Sequence, residues 1–343
     1  MVKRAKHSRK NNKSNKKTKV IVLTILFILI FIIGFGAFYT YNLLNKVNKT
    51  EISKSNDDLG IDNSVTEQFK DKEDDIINIA FFGVDQMNPG ERGRSDSTMV
   101  LTIDTKTKKI KMTSIMRDSY VAIEGYGKDK LNHAYAFGGP QLAIKTLNQN
   151  YGLNIKDFVA VNFGELSKII DELGGVDINI KDYEVKMVNA YIDSVADIIK
   201  QPGKHISQPG LQTLSGVQAV AYTRIRYVGN GDFERTERQR TVLTALFNKI
   251  KNAGVANYPS MVNKLLPYVE TSLSSINLIK IGTNALSTGV TNLEQERFPL
   301  DGYCTGATIN GVWYLKFDEE ATKEQMQKYI FEDVKPTAAT PKF

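Results

Sequence analysis

Apolar residues along this chain run first without interruption, then thin out, then recur at short intervals. No charged residue occurs from Val20 to Asn45, and positions 20–38 are almost wholly Ile, Leu, Val and Phe. About 20 such residues cross a bilayer as a helix, so a transmembrane anchor is expected over 20–41. The run is longer than a cleaved signal-peptide core, and it exits through Phe38, Tyr39 and Tyr41, side chains suited to the membrane interface. Residues 46–75 are mostly Lys, Glu, Asp, Asn and Ser with few apolar positions. That pattern predicts a solvated stalk over 42–75, with order beginning at Ile76.

Beyond Ile76 two periods alternate. Apolar stretches at 76–84, 98–103, 110–115, 158–163 and 176–180 predict strands. Helical spacing predicts helices at 139–151, 165–173, 214–223 and 233–251, the last apolar at Val242, Leu243, Leu246 and Ile250. Two further helices (258–266 and 276–286), a strand pair near Glu296 and Trp313, and a last helix at 319–331 complete the reading. Strands interleaved with helices predict an α/β fold. The expected organisation is a main domain over 76–250, an extension over 251–334 packed on it, and a flexible tail over 335–343.

Charge sharpens the topology. Of the 45 Lys and Arg, nine fall in residues 1–19, where there is no acid, leaving 36 bases against 38 acids. The basic character therefore belongs to a short N-terminal tail. A positive flank on that side keeps it in the cytoplasm and sends the rest outside, as a single-pass protein of the cell membrane. The exported part offers no basic surface for nucleic acid, and no helix-turn-helix or zinc spacing is present. Cys304 is the single cysteine, so no internal disulfide can form and stability must come from the core.

The arginines carry the chemistry. Nine lie beyond the tail, and eight of them fall in two stretches: Arg92, Arg94 and Arg117 in one, Arg224, Arg226, Arg235, Arg238 and Arg240 in the other. A planar guanidinium grips phosphate oxygens two at a time, which points to a phosphate or pyrophosphate site. Salt bridging on a helix surface is the alternative for Arg238 and Arg240. Asp85 and Asp96, at strand ends, could hold a hard cation such as Mg²⁺, or could simply form turns. Arg235 and Gln239 share one face near a helix N-terminus, where anions are favoured. Asp232 just ahead reads as the N-cap. Arg224 and Arg226, two apart on an extended segment, would point the same way. The chain has no Walker sequence and no GxSxG elbow; His7, His133 and His205 are too scattered for a metal cluster.

In order, the motifs NIAFFGVD, GRSDS, MRDSYV, KLNHAYAFGG, VNFGEL, LGGVDI and RIR…GDFERTERQR make the chain similar to the LytR-CpsA-Psr family. The resemblance runs from about Asn78 through Thr241, and more weakly to the last helix. It implies an α/β/α sandwich with a central mixed β-sheet and an apolar pocket for a polyprenyl chain, the pyrophosphate lying at the pocket mouth. It implies that Asp85 and Asp96 hold Mg²⁺ or Mn²⁺, and that Arg94, Asp96 and Arg117 are catalytic. Lys130, Arg224, Arg226, Arg235 and Gln239 are then head-group contacts. Glu234 stands where the family often has Gly. The implied activity is that of a membrane-anchored extracellular phosphotransferase. It would move a glycopolymer from a polyprenyl-pyrophosphate carrier to peptidoglycan, with Asp96 or a neighbouring carboxylate taking the hydroxyl proton. A hydrolase of the same lipid, a non-catalytic binder and a membrane-bound transcription attenuator are the alternatives.

Overall fold

Ten consecutive residues of one strand, Ile76–Asp85, show why the centre of this protein is a covered sheet. None is exposed, whichever face it points to, as happens when helices pack on both sides. The computed structural model describes residues 47–72, 74–86, 92–226, 230–287, 289 and 293–339. The predicted basic tail and membrane anchor lie outside those residues, as do residues 87–91. No described helix is long and apolar enough to cross a membrane.

The strands are β1 (Asn48–Lys49), β2 (Ile76–Asp85), β3 (Arg94–Asp104), β4 (Lys109–Ile115), β5 (Tyr120–Ile123), β6 (Gly127–Lys130), β7 (Asp157–Asn162), β8 (Val176–Ile180), β9 (Gly210–Leu214), β10 (Glu270–Thr271), β11 (Leu293–Phe298), β12 (Cys304–Ile309) and β13 (Val312–Phe317). The helices are α1 (Asn63–Gln68), α2 (Leu131–Tyr151), α3 (Phe163–Glu172), α4 (Asp182–Ile199), α5 (Gly216–Arg224), α6 (Asp232–Ala253), α7 (Tyr258–Leu265), α8 (Ser275–Ser287) and α9 (Glu319–Glu332). A mixed seven-stranded sheet runs in the order β1-β10-β7-β2-β3-β4-β11. Within it β2–β7 and β4–β11 pair parallel, and β2–β3–β4 antiparallel.

On one face, Ala80, Phe82 and Val84 join Leu147 and Tyr151 of α2 and Ile330 of α9 in a single core. On the other, Val161 joins Ile169 of α3 with Val242 and Leu246 of α6. Full burial of a side chain such as Phe82 contributes about 2–3 kcal/mol. The α/β expectation is met, with helical layers on both sides of a mixed sheet. Within α2, Gly139 takes φ 68° and ψ −159°, a break that a residue with a Cβ resists, and Pro140 opens the second run. The helix predicted from 139 is therefore the second half of a longer element.

The expected stalk is corrected. Leu59, Ile61, Val65 and Phe69 are buried in the core, Phe69 stacks on Phe331 at 4.1 Å, and β1 pairs with β10. Few apolar residues suffice because each of these is buried. The boundary at 250 is corrected as well, since β10 and β11 are strands of the central sheet and the described residues from 47 onward form one unit. The predicted strands near Glu296 and Trp313 exist but do not pair: β11 joins β4, and β13 joins β12. In the expected flexible tail, Ala339 N donates to the Asp301 carbonyl at 3.2 Å.

Candidate anion site and lipid cavity

Asp96 is the pivot of the site, and a sheet irregularity places it. Gly83 pairs with Ser97 and Val84 with Ser95, so Asp96 is the extra residue of a β-bulge on β3. Bulges re-aim side chains at strand ends. Arg117 follows β4 directly, and its segment is held by backbone bonds: Asn132 N to the Arg117 carbonyl at 3.1 Å and Met116 N to the Phe298 carbonyl at 2.9 Å. Arg235 sits on the first turn of α6 and Arg226 just beyond α5.

These elements converge on one carboxylate. Arg117 Nη1 donates to Asp96 Oδ1 at 2.7 Å, and Arg226 Nη2 to Oδ2 at 3.1 Å. Arg235 Nη2 donates to the Asp96 carbonyl at 3.4 Å, with its Nη1 3.9 Å from Oδ2. Asn132 Nδ2 adds a bond to Oδ1 at 3.3 Å. Asp232 lies 2.9 Å from Arg235 Nη2 and 3.4 Å from Arg117 Nη2. The helix is capped at Gly231 without a side-chain bond, so the N-cap reading of Asp232 is corrected: its carboxylate serves the guanidiniums.

The cluster is short of negative charge. Burial opposes ionisation of Asp96, but Arg117, Arg235 and Arg226 outweigh it and hold the carboxyl below the ordinary range. Burial drives Arg235 the other way, down to about 10, with Arg117 and Arg226 pushing in the same direction. The Arg235 Nε has no hydrogen-bond partner among the described residues. A buried guanidinium that its neighbours repel gains most from an incoming anion. Asp85, half-buried, is shifted upward first by burial and then by Asp96, against the pull of Arg224, Arg226 and Arg117.

The structure brings Asp85, Asp96, Arg117, Arg224, Arg226 and Arg235 within electrostatic reach of one another. Arg224 ends α5, not an extended segment as expected, and lies 4.5 Å over the Phe163 ring. Arg94 is exposed, opposite Asp85 in the strand register, and no described ion pair links it to Asp96. Lys130 stands one residue out, bonded to Asp118 at 2.8 Å, which lies 3.4 Å from Arg117 Nε. Arg238 proves structural: it bonds Glu184, Glu234 and the Ile225 carbonyl. Sequence reasoning missed Asp118 and Asn132, although both lie in motifs already singled out.

Gln239 and Asp96 line a narrow neck with Phe81, Val161, Leu166 and Leu243. Those last four also line a larger cavity of about 350 Å³, walled by side chains such as Met99, Leu101, Val159, Leu246 and Phe247. An apolar chamber thus shares its wall with a neck that reaches Asp96, the carboxylate on which the guanidiniums converge.

The LytR_cpsA_psr family profile matches residues 38–330. Among curated relatives, a protein of Bacillus cereus named polyisoprenyl-teichoic acid–peptidoglycan teichoic acid transferase TagU is 32% identical over 270 residues, 78% of this chain and 82% of the relative. Its Oceanobacillus iheyensis counterpart is 34% identical over 263 residues, 74% of this chain and 75% of the relative. Staphylococcus aureus MsrR, named a regulatory protein, is 32% identical over 266 residues, 76% of each chain. Among solved structures, TagT with bound octaprenyl pyrophosphate lipid superimposes with a TM-score of 0.55 at 28% identity, covering 75% of this chain and 90% of TagT. The chain belongs to the LytR-CpsA-Psr family.

Proposed function

We propose that this protein transfers a glycopolymer from a polyprenyl-pyrophosphate carrier to peptidoglycan, anchored in the cell membrane through residues 20–41 with its catalytic unit on the wall side. The observation that carries this reading is the meeting of Arg117, Arg226 and Arg235 at Asp96, at the neck of an apolar cavity. A lipid pyrophosphate needs both parts at once. The names of the TagU relatives and the lipid held by TagT support the same substrate class.

The isoprenoid chain occupies the cavity, and the pyrophosphate lies against the guanidiniums. A sugar hydroxyl of peptidoglycan attacks the glycan-side phosphorus. The new P–O bond forms as the bridging bond to the lipid-side phosphate breaks, so polyprenyl phosphate leaves and a phosphodiester remains. Arg117, Arg226 and Arg235 neutralise charge that grows on the phosphoryl oxygens, the dominant aid in such transfers. Asp96, held ionised by three arginines, is a weak base; the elevated carboxyl of Asp85 is better suited to take the hydroxyl proton.

Asp85 and Asp96 are the carboxylates that would hold Mg²⁺ or Mn²⁺, which takes one or two carboxylates and fills its remaining positions with phosphate oxygen and water. The Asp96 oxygens already accept from Arg117, Arg226 and Asn132, so Asp85 would be the more open donor. When bound, such a cation adds charge neutralisation at the phosphates.

The test incubates the protein with a lipid-pyrophosphate glycan, a peptidoglycan oligomer and Mg²⁺. Polymer joined covalently to the oligomer is the expected product. Release of phosphorylated glycan alone would assign hydrolysis instead.

A further inference from the structure

A second cavity lies on the far side of the β7 end. It measures about 380 Å³ and is lined by Val84, Tyr135, Glu165 and Glu270, with Thr50 and Glu51 from the N-terminal segment. It shares Val161 and Asn162 with the neck that holds Asp96, so the two openings meet at the carboxyl end of a parallel strand. Ligands of open α/β sheets bind at such ends.

Its chemistry is the reverse of the guanidinium cluster. Glu51, Glu165 and Glu270 face it, against Arg92 alone of the basic residues in its lining. That balance repels a pyrophosphate and leaves a neutral ligand indifferent. Tyr135 adds a phenol to this lining. It is 5% exposed, with its ring 5.1 Å from Phe82, yet no described residue hydrogen-bonds its hydroxyl. Tyr135 lines the cleft together with Glu270 and Arg92. An unpartnered hydroxyl that faces a cleft can both donate to and accept from a ligand there. The half-buried Glu165 carboxylate is met by the Asn162 backbone, and burial still raises its affinity for a proton against Asn162 and Lys168, with Glu270 adding to the rise. Glu270 is fixed by Thr50 Oγ1 at 2.6 Å.

We propose that this cleft is the acceptor subsite, taking a neutral, hydroxyl-rich amino-sugar unit of the peptidoglycan glycan whose O–H groups bond Tyr135 and Glu165. The inference rests on the transferase reading and extends it. The two substrates are sorted by charge, the anionic donor to the arginines and the neutral acceptor to the carboxylates. They meet across Val161 and Asn162, where the sugar hydroxyl reaches the phosphorus.

The experiment compares full-length wild type, Tyr135→Phe and Glu165→Gln, with lipid-pyrophosphate glycan as donor and a peptidoglycan oligomer as acceptor. Each variant removes a polar function at almost constant volume, and thermal melting checks that it folds. The KM for the oligomer is expected to rise about five- to ten-fold in each variant, with donor KM unchanged. Titration of the oligomer alone, without donor, should weaken by the same factor. An unchanged oligomer KM, or a parallel rise in donor KM, overturns the subsite while leaving the transferase reading intact. Absence of covalent product in the wild type removes that reading, and the subsite with it.

Discussion

Arg235 and Arg238 sit three residues apart on one helix, and each side chain is only 3% exposed. Their surroundings nevertheless set them apart. Arg238 is saturated: Glu184 receives its Nε at 2.8 Å, Glu234 its Nη2 at 2.7 Å, and the Ile225 carbonyl its Nη1 at 3.3 Å. Burial disfavours its charge, but the bond to Glu184 and the charges of Glu184 and Glu234 outweigh that and raise its pKa. Arg235 shares its carboxylates with Arg117 and Arg226, keeps an unpartnered Nε and is shifted down. Burial alone therefore does not mark a functional arginine. What sets Arg235 apart from Arg238 is a deficit of acceptors around it.

The same substitution at both positions tests this distinction. Arg238→Met leaves Glu184, 1% exposed, buried without its partner, and should cost about 3–5 kcal/mol of stability, read by denaturant unfolding. Adding Glu184→Met should restore most of that loss, because a matched apolar pair avoids the stranded charge. Arg235→Met should do the opposite. Asp96 keeps Arg117 and Arg226, and Asp232 keeps Arg117, so stability should change by no more than about 1 kcal/mol. Transfer, measured as covalent product, should fall about 100- to 1,000-fold. A stability loss at 235 matching that at 238 would erase the distinction.

The sequence carried this difference unevenly. The strands β2, β3, β4, β7 and β8 were legible because their apolar runs are long and bounded by turns. The helix α4, which supplies Glu184, was not read, although its first turn contains the partner that decides what Arg238 does. A pairing between residues 54 positions apart leaves no local trace. The grouping of Asp85, Asp96 and the arginines was legible because guanidinium clustering is itself a composition signal. Asp232 was misjudged since an acid before a helix has two good uses, and only the cap at Gly231 decides between them. The edge strand β11 was visible as a strand, but its polar sequence did not reveal its partner β4.

Acidification separates the two networks further. The folded-state carboxyl of Asp96 lies below its unfolded value, so its contribution is present above the ordinary Asp value of about 4 and is lost as pH falls through the lowered folded pKa. Protonation there leaves Arg117, Arg226 and Arg235 facing one another. Melting temperature followed with pH should show wild type exceeding Asp96→Asn near neutrality, with the gap closing only below about pH 4. A gap that does not depend on pH would mean that the carboxylate's charge is not what holds the cluster.

The smallest effect concerns the apolar side of the site. Leu243 lines both the neck and the main cavity, so Leu243→Trp fills the passage without touching the guanidiniums. A long polyprenyl donor should lose affinity about five- to ten-fold, the loss of one or two buried methylene equivalents. A short-chain pyrophosphate donor, which never reaches the cavity, should bind as before. With Arg117, Arg226 and Arg235 proposed to hold the pyrophosphate in both cases, turnover at saturating donor should be unchanged. Equal losses for long and short donors would show that the cavity takes no part in holding the lipid, and would leave the arginines as the whole of the donor site.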